Sequence, residues 1–139
     1  MFEQLIIGSG LIVTTVLIHG VSLEVILKVL LRIPQHLEFR WRTLLFSLVV
    51  LSVFTAHVAE IWIWAVFFHF IEEVSNFEAA LYFSTSSFTT VGYGDLVLSE
   101  EWRLMGALES ANGMMLFGWS TAFIFEVVRR NYRRLYQVP

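Results

Sequence analysis

The chain has 139 residues, of which 57% are hydrophobic and 15% charged, with a mean hydropathy of +0.69 and a net charge of −3. A soluble domain of this size does not carry so much apolar surface, so the composition is that of an integral membrane protein with helical spans. The acidic balance gives no reason to expect nucleic acid as a partner, and the absence of cysteine leaves neither a disulfide framework nor a thiolate metal site.

The N-terminus lacks a basic region ahead of its first apolar run and carries the acidic Glu3. That is a poor signal peptide, so the run is expected to be retained as a membrane helix. It reaches from Leu5 to about Ile33, about 30 residues where roughly 20 cross a bilayer. Glu24 and Lys28 form a favourable i, i+4 pair near its end, and Lys28 and Arg32 are placed to reach headgroups. Gly8, Gly10 and Gly20 permit close packing or bending. Pro34 stops the helix, because it pushes Ile33 out of the helical region. A short basic connection follows to Arg42, where Arg40 and Arg42 flank Trp41 as an interfacial anchor.

The second span is expected from about Thr43 to Phe70, with Trp62, Trp64, Phe67 and Phe68 marking its far interface and Glu72 and Glu73 in the loop beyond. Ser75 and Glu78 match a capping box at the start of a helix. The segment from Phe77 to about Phe88 is too short to span. Ser84, Ser86 and Ser87 lie toward its end. A half-helix of this kind is tolerated in a membrane only when buried in protein or lining water, and its C-terminal end carries partial negative charge that favours a cation.

Thr89-Thr90-Val91-Gly92-Tyr93-Gly94-Asp95 follows directly. Gly92 and Gly94 can take positive φ at little steric cost. Successive carbonyls can then turn to one side, and the oxygens of Thr90, Val91, Gly92 and Tyr93, with the Thr90 hydroxyl, form a ladder of hard oxygen ligands. One chain supplies one stave, so a closed ring implies a symmetric oligomer. The bland alternative is a Gly-rich turn. In order and context the segment resembles the filter of the potassium-channel pore family, in which four such loops replace the hydration shell of the ion.

The last span is expected from about Leu104 to Val128, ending in Arg129, Arg130, Arg133 and Arg134. That cluster reads as a solvated helix end or as a contact for anionic membrane lipid. Eight of the nine basic residues lie between the first two spans or after the last. The positive-inside rule puts both places in the cytoplasm and the loop's mouth outside, lined by Glu72, Glu73, Glu78, Asp95, Glu100 and Glu101. No helix carries basic residues at every third position, so an arginine-rich voltage sensor is not expected.

The resemblance covers roughly residues 43–130. It implies an all-α membrane protein of three transmembrane helices plus a re-entrant pore helix and filter loop, assembled as a fourfold-symmetric homotetramer. It divides the chain into an extra N-terminal helix (1–33), a basic cytoplasmic linker (34–42), the pore domain (43–130) and a short tail (131–139). It further implies K+ ions held by Thr90, Val91, Gly92 and Tyr93, with Gly94, Asp95, Tyr82 and Ser86 as filter support, in a multi-pass plasma or bacterial inner membrane. Gly113 resembles a gating hinge, although Gly113 and Gly118 can equally serve close packing.

Three departures stand out. Ser86 occupies a place where many family members carry glutamate. Tyr82 and Phe83 stand where many have two tryptophans; Tyr82 keeps a donor for Asp95, while Phe83 has none for Tyr93. Polar residues lie inside the spans: His57 and Glu60 on the second, Glu109, Ser110 and Asn112 on the last. These either bond to one another and to the short helix's serines, or put Glu109 or Asn112 in a cavity below the filter and make His57 a pH sensor. Two other functions fit parts of the sequence. Gly118-Trp119-Ser120-Thr121-Ala122 approaches a nucleophile turn, with His57 or His69 as base of an intramembrane hydrolase. The extra helix suits a non-conducting or modulatory subunit.

Overall fold

The computed structural model describes residues 2–33 and 39–133. Four helices follow one another: α1 (Phe2–Arg32), α2 (Phe39–Phe70), α3 (Phe77–Phe88) and α4 (Arg103–Arg133), and the described residues contain no strand. Three of them, α1, α2 and α4, are long and apolar enough to cross a membrane. The stop at Pro34, residues 35–38 of the basic connection and Arg134 in the tail lie outside the described residues.

Two boundaries differ from expectation. α2 begins at Phe39 rather than near Thr43, so Arg40-Trp41-Arg42 is helical. Interfacial residues mark where the bilayer ends, and nothing in their propensity stops a helix there. The cap of α3 is Asn76, not Ser75: its extended backbone (φ −157°, ψ 169°) precedes Phe77, and its side chain accepts the Ala79 N–H at 2.9 Å. Asparagine is as good an N-cap as serine and stands one residue nearer.

α3 lies against both α2 and α4. Their shared core joins Ile61, Trp64 and Phe68 of α2 to Ala80, Phe83 and Phe88 of α3 and to Met105 and Leu116 of α4. Phe68 and Phe83 meet edge to face at 5.0 Å and 89°, a favoured aromatic arrangement.

α1 packs on α2 and α4 with an inverted pattern. Its buried residues are Gln4, Gly8, Thr15, His19 and Leu23, while Ile6, Leu17, Val21 and Val29 are exposed. Lipid is as apolar as leucine, so a membrane helix gains little by hiding apolar side chains; small and polar ones face the protein instead. Gln4 donates to the Glu101 carbonyl, and Gly8 lies under Leu108 and Met105. The start of α1 is therefore at the same end as the segment joining α3 to α4, as the distribution of basic residues requires.

Candidate functional site

The loop after α3 alternates in backbone hand. Thr90 (φ 62°), Gly92 (φ 54°) and Gly94 (φ 76°) are left-handed; Val91 and Tyr93 are not. The two glycines behave as expected, and Thr90 adds a third left-handed position that its residue type did not announce. Alternation of this kind lets successive peptide groups face one way.

The amides face α3. Thr90 N–H donates to the Ser87 carbonyl at 2.9 Å, and Val91 and Gly92 N–H both donate to the Ser86 carbonyl at 3.0 and 3.2 Å. Tyr93 N–H reaches the Ser86 hydroxyl at 3.4 Å. Among the described residues no hydrogen bond ends on the carbonyl oxygens of Thr90, Val91, Gly92 or Tyr93. The loop thus turns its donors inward and leaves its oxygens without partners, an arrangement suited to a hard cation.

The outer end is tied down separately. Tyr82 donates its hydroxyl to Asp95 Oδ2 at 2.7 Å, and Leu96 N–H donates to Asp95 Oδ1 at 3.1 Å. The Tyr82 bond holds the Asp95 carboxyl below the usual carboxylate range, and the same bond raises the Tyr82 phenol. Tyr93 stacks on Tyr82, with ring centroids 6.4 Å apart and 8° between planes. Ser86 and Tyr82, both departures from the commoner residues of the family, thus make the supporting contacts here. Phe83 makes none: its ring is turned to Phe68 and Gly106.

A family model described as "Ion channel" matches residues 56–130. The chain belongs to this ion-channel family. The match takes in the C-terminal part of α2 from Ala56, all of α3 and its loop, and α4 to Arg130; α1 lies outside it. No curated protein and no solved structure matches the chain.

The polar residues Glu109, Ser110 and Asn112 of α4 bond within the chain. Glu109 is fully buried and its Oε1 lies 2.5 Å from the Ser84 hydroxyl, which also reaches the Ile61 carbonyl at 2.8 Å. Ser110 donates to the Ser87 and Gly106 carbonyls. Asn112 donates to Thr15 Oγ1 at 2.7 Å, linking α4 to α1. Glu109 and Asn112 are both buried within the chain. The open side of α4 instead presents Ala107, Ala111, Met115, Gly118 and Ala122. Gly113 lies against the end of α3: a Cβ there would strike the Phe88 carbonyl.

The channel also holds a constellation that only half showed in its sequence. The i, i+3 spacing pairs His57 with Glu60; nothing in the spacing pairs His19 with either. His19 Nδ1 lies 2.8 Å from Glu60 Oε1, His57 Nδ1 2.9 Å from Glu60 Oε2, and both Nε2 atoms approach Ser120 Oγ, at 3.1 and 2.9 Å. The sequence signal for His19 is an imidazole within a membrane span. Ser120, His57 and Glu60 are in the order a hydrolase triad needs. Yet Ser120 is 4% exposed and lies in the middle of α4, where backbone amides serve the helix and no strained turn presents the hydroxyl. His69 is remote, beside Phe70 and Phe77.

Proposed function

We propose that the channel conducts potassium selectively, through four copies of residues 90–93 arranged about a common axis in a homotetramer. The observation that carries this reading is the division of the loop: amides bonded to Ser86 and Ser87, carbonyls of Thr90, Val91, Gly92 and Tyr93 left open. Oxygens of four loops meeting on an axis replace the water around a potassium ion, so dehydration costs little and passage needs no covalent chemistry. α3 enters the membrane from the side of the loop's mouth and aims its negative C-terminal end at the ion path. The exposed Val91 and Tyr93, and Met114, Met115 and Phe125 on α4, give neighbouring subunits and lipid an apolar surface to cover.

In this reading Glu109 and Asn112 are packing residues and the conduit below the loop is lined by small and apolar side chains. Gly113 serves close approach rather than bending. The N-terminus and the acidic mouth face outward across a cell membrane, and the basic ends face the cytoplasm. The test is flux through protein reconstituted in lipid vesicles. Potassium is expected to pass and sodium to be excluded. Equal passage of both ions overturns the selectivity, and no passage of either returns the chain to the modulatory reading.

A further inference from the structure

The four-membered ring joins three spanning helices: His19 from α1, His57 and Glu60 from α2, Ser120 from α4. All four side chains are buried, and the partners of the Glu60 carboxylate are the two imidazoles. Its hydrogens do not match its contacts. With Glu60 ionised and both histidines neutral, each imidazole carries one hydrogen and Ser120 one, three in all for four contacts. Both Nδ1–H groups turn to the carboxylate, so both Nε2 atoms are acceptors. Ser120 donates to one, and the other contact sets lone pair against lone pair where no water can intervene.

We propose that this ring is a binding site for one divalent transition-metal cation of the zinc class, ligated by His19 Nδ1, His57 Nδ1 and the Glu60 carboxylate. Two imidazoles and a carboxylate are a donor set suited to such an ion. One ligand atom from each of the three residues lies within 4.8 Å of the others. Metal bonds of about 2.0–2.2 Å need the nitrogens and carboxylate oxygens to part by only a few tenths of an ångström from their 2.8 and 2.9 Å. With the cation in place each imidazole carries its hydrogen on Nε2. Both Nε2–H groups then donate to Ser120 Oγ, whose two lone pairs accept them. Ser120 becomes the outer partner that a ligating histidine normally has on its other nitrogen, and no contact of the ring lacks a hydrogen or a metal. The cation clips α1, which lies outside the family match, to the helices that carry the loop. A lone extra proton would also complete the ring, and the experiment separates the two.

Full-length protein purified without a polyhistidine tag is stripped with chelator and equilibrated with zinc. About one zinc per chain is expected, and cobalt in its place gives visible absorption from its nitrogen and oxygen ligands. His57→Gln and Glu60→Gln abolish both signals. Ser120→Ala, which keeps all three ligands, weakens binding roughly 10- to 100-fold. His69→Gln, exposed and outside the ring, changes neither. Less than about a tenth of an equivalent in the parent protein at micromolar zinc, or equal binding by Ser120→Ala and the parent, overturns the proposal and leaves the ring to a proton. None of these readouts depends on ion flux, so the metal site and potassium selectivity fail separately.

Discussion

The carbonyl of Phe88 rests on the Cα of Gly113, so close that a Cβ at residue 113 would also lie 2.8 Å from the Phe88 carbonyl carbon. Backbone meets backbone, and neither side can rotate away. Gly113→Ala is therefore expected to push α4 off the end of α3, destabilise the chain by about 1–3 kcal/mol, and abolish flux, because the loop starts where α3 ends. Gly118→Ala meets open space within the chain and should leave thermal unfolding in detergent unchanged. A Gly113→Ala protein that keeps its stability and loses only opening would restore the hinge.

Tyr82→Phe removes the hydroxyl that holds the Asp95 carboxyl down. A carboxylate whose folded pKa is depressed contributes stability above its unfolded value, and that contribution is lost as pH falls through the folded value. The parent loop should therefore tolerate acid on its outer side to below about 3.9, the ordinary aspartate value. In Tyr82→Phe the loss of flux should begin at a higher pH. Flux measured against external pH checks this, and superimposable profiles would deny the Tyr82 bond any part in holding the loop.

Phe83→Trp supplies the donor that the commoner tryptophan provides. It is not expected to firm up the loop. The Phe83 ring already meets Phe68 at 5.0 Å, and its Cζ lies 3.1 Å from where a Cβ on Gly106 would stand. The larger ring overpacks this site at a cost of about 1–3 kcal/mol, and its N–H is directed away from Tyr93. Lower stability with no gain in flux is the expected result; steadier flux at low potassium concentration would mean the ring can turn toward Tyr93.

Glu109→Gln keeps a polar partner for Ser84 at the same length. Conductance and rectification should match the parent, with stability within about 0.5–1.5 kcal/mol. A change in rectification in single-channel records would place the carboxylate in the ion path, against its complete burial.

Local chemistry made much of the fold legible. Hydropathy located the spans, and the length and serine-rich end of residues 77–88 set that helix apart from them. The glycines at 92 and 94 announced their own backbone conformation, while the Tyr82–Asp95 bond was implied by the resemblance, with Tyr82 at a place where many members carry tryptophan. What stayed hidden depends on what stands opposite. A glycine at 113 permits bending or close approach equally, until Phe88 is seen against it. His19 is separated from Glu60 by 41 residues and from Ser120 by 101, and no pattern within one helix names such partners. The stagger of polar residues on α1 was obscured for the same reason, since their exposed neighbours dominate the hydropathy.

Because the amides at 90–93 are engaged by Ser86 and Ser87, an arriving chloride would find no free backbone hydrogen among them to meet it. In the proposed pore, anions would thus be turned away by the orientation of the peptide groups. This refusal asks nothing of the loop's diameter, so it should outlast any distortion that blurs the distinction between one alkali metal and another.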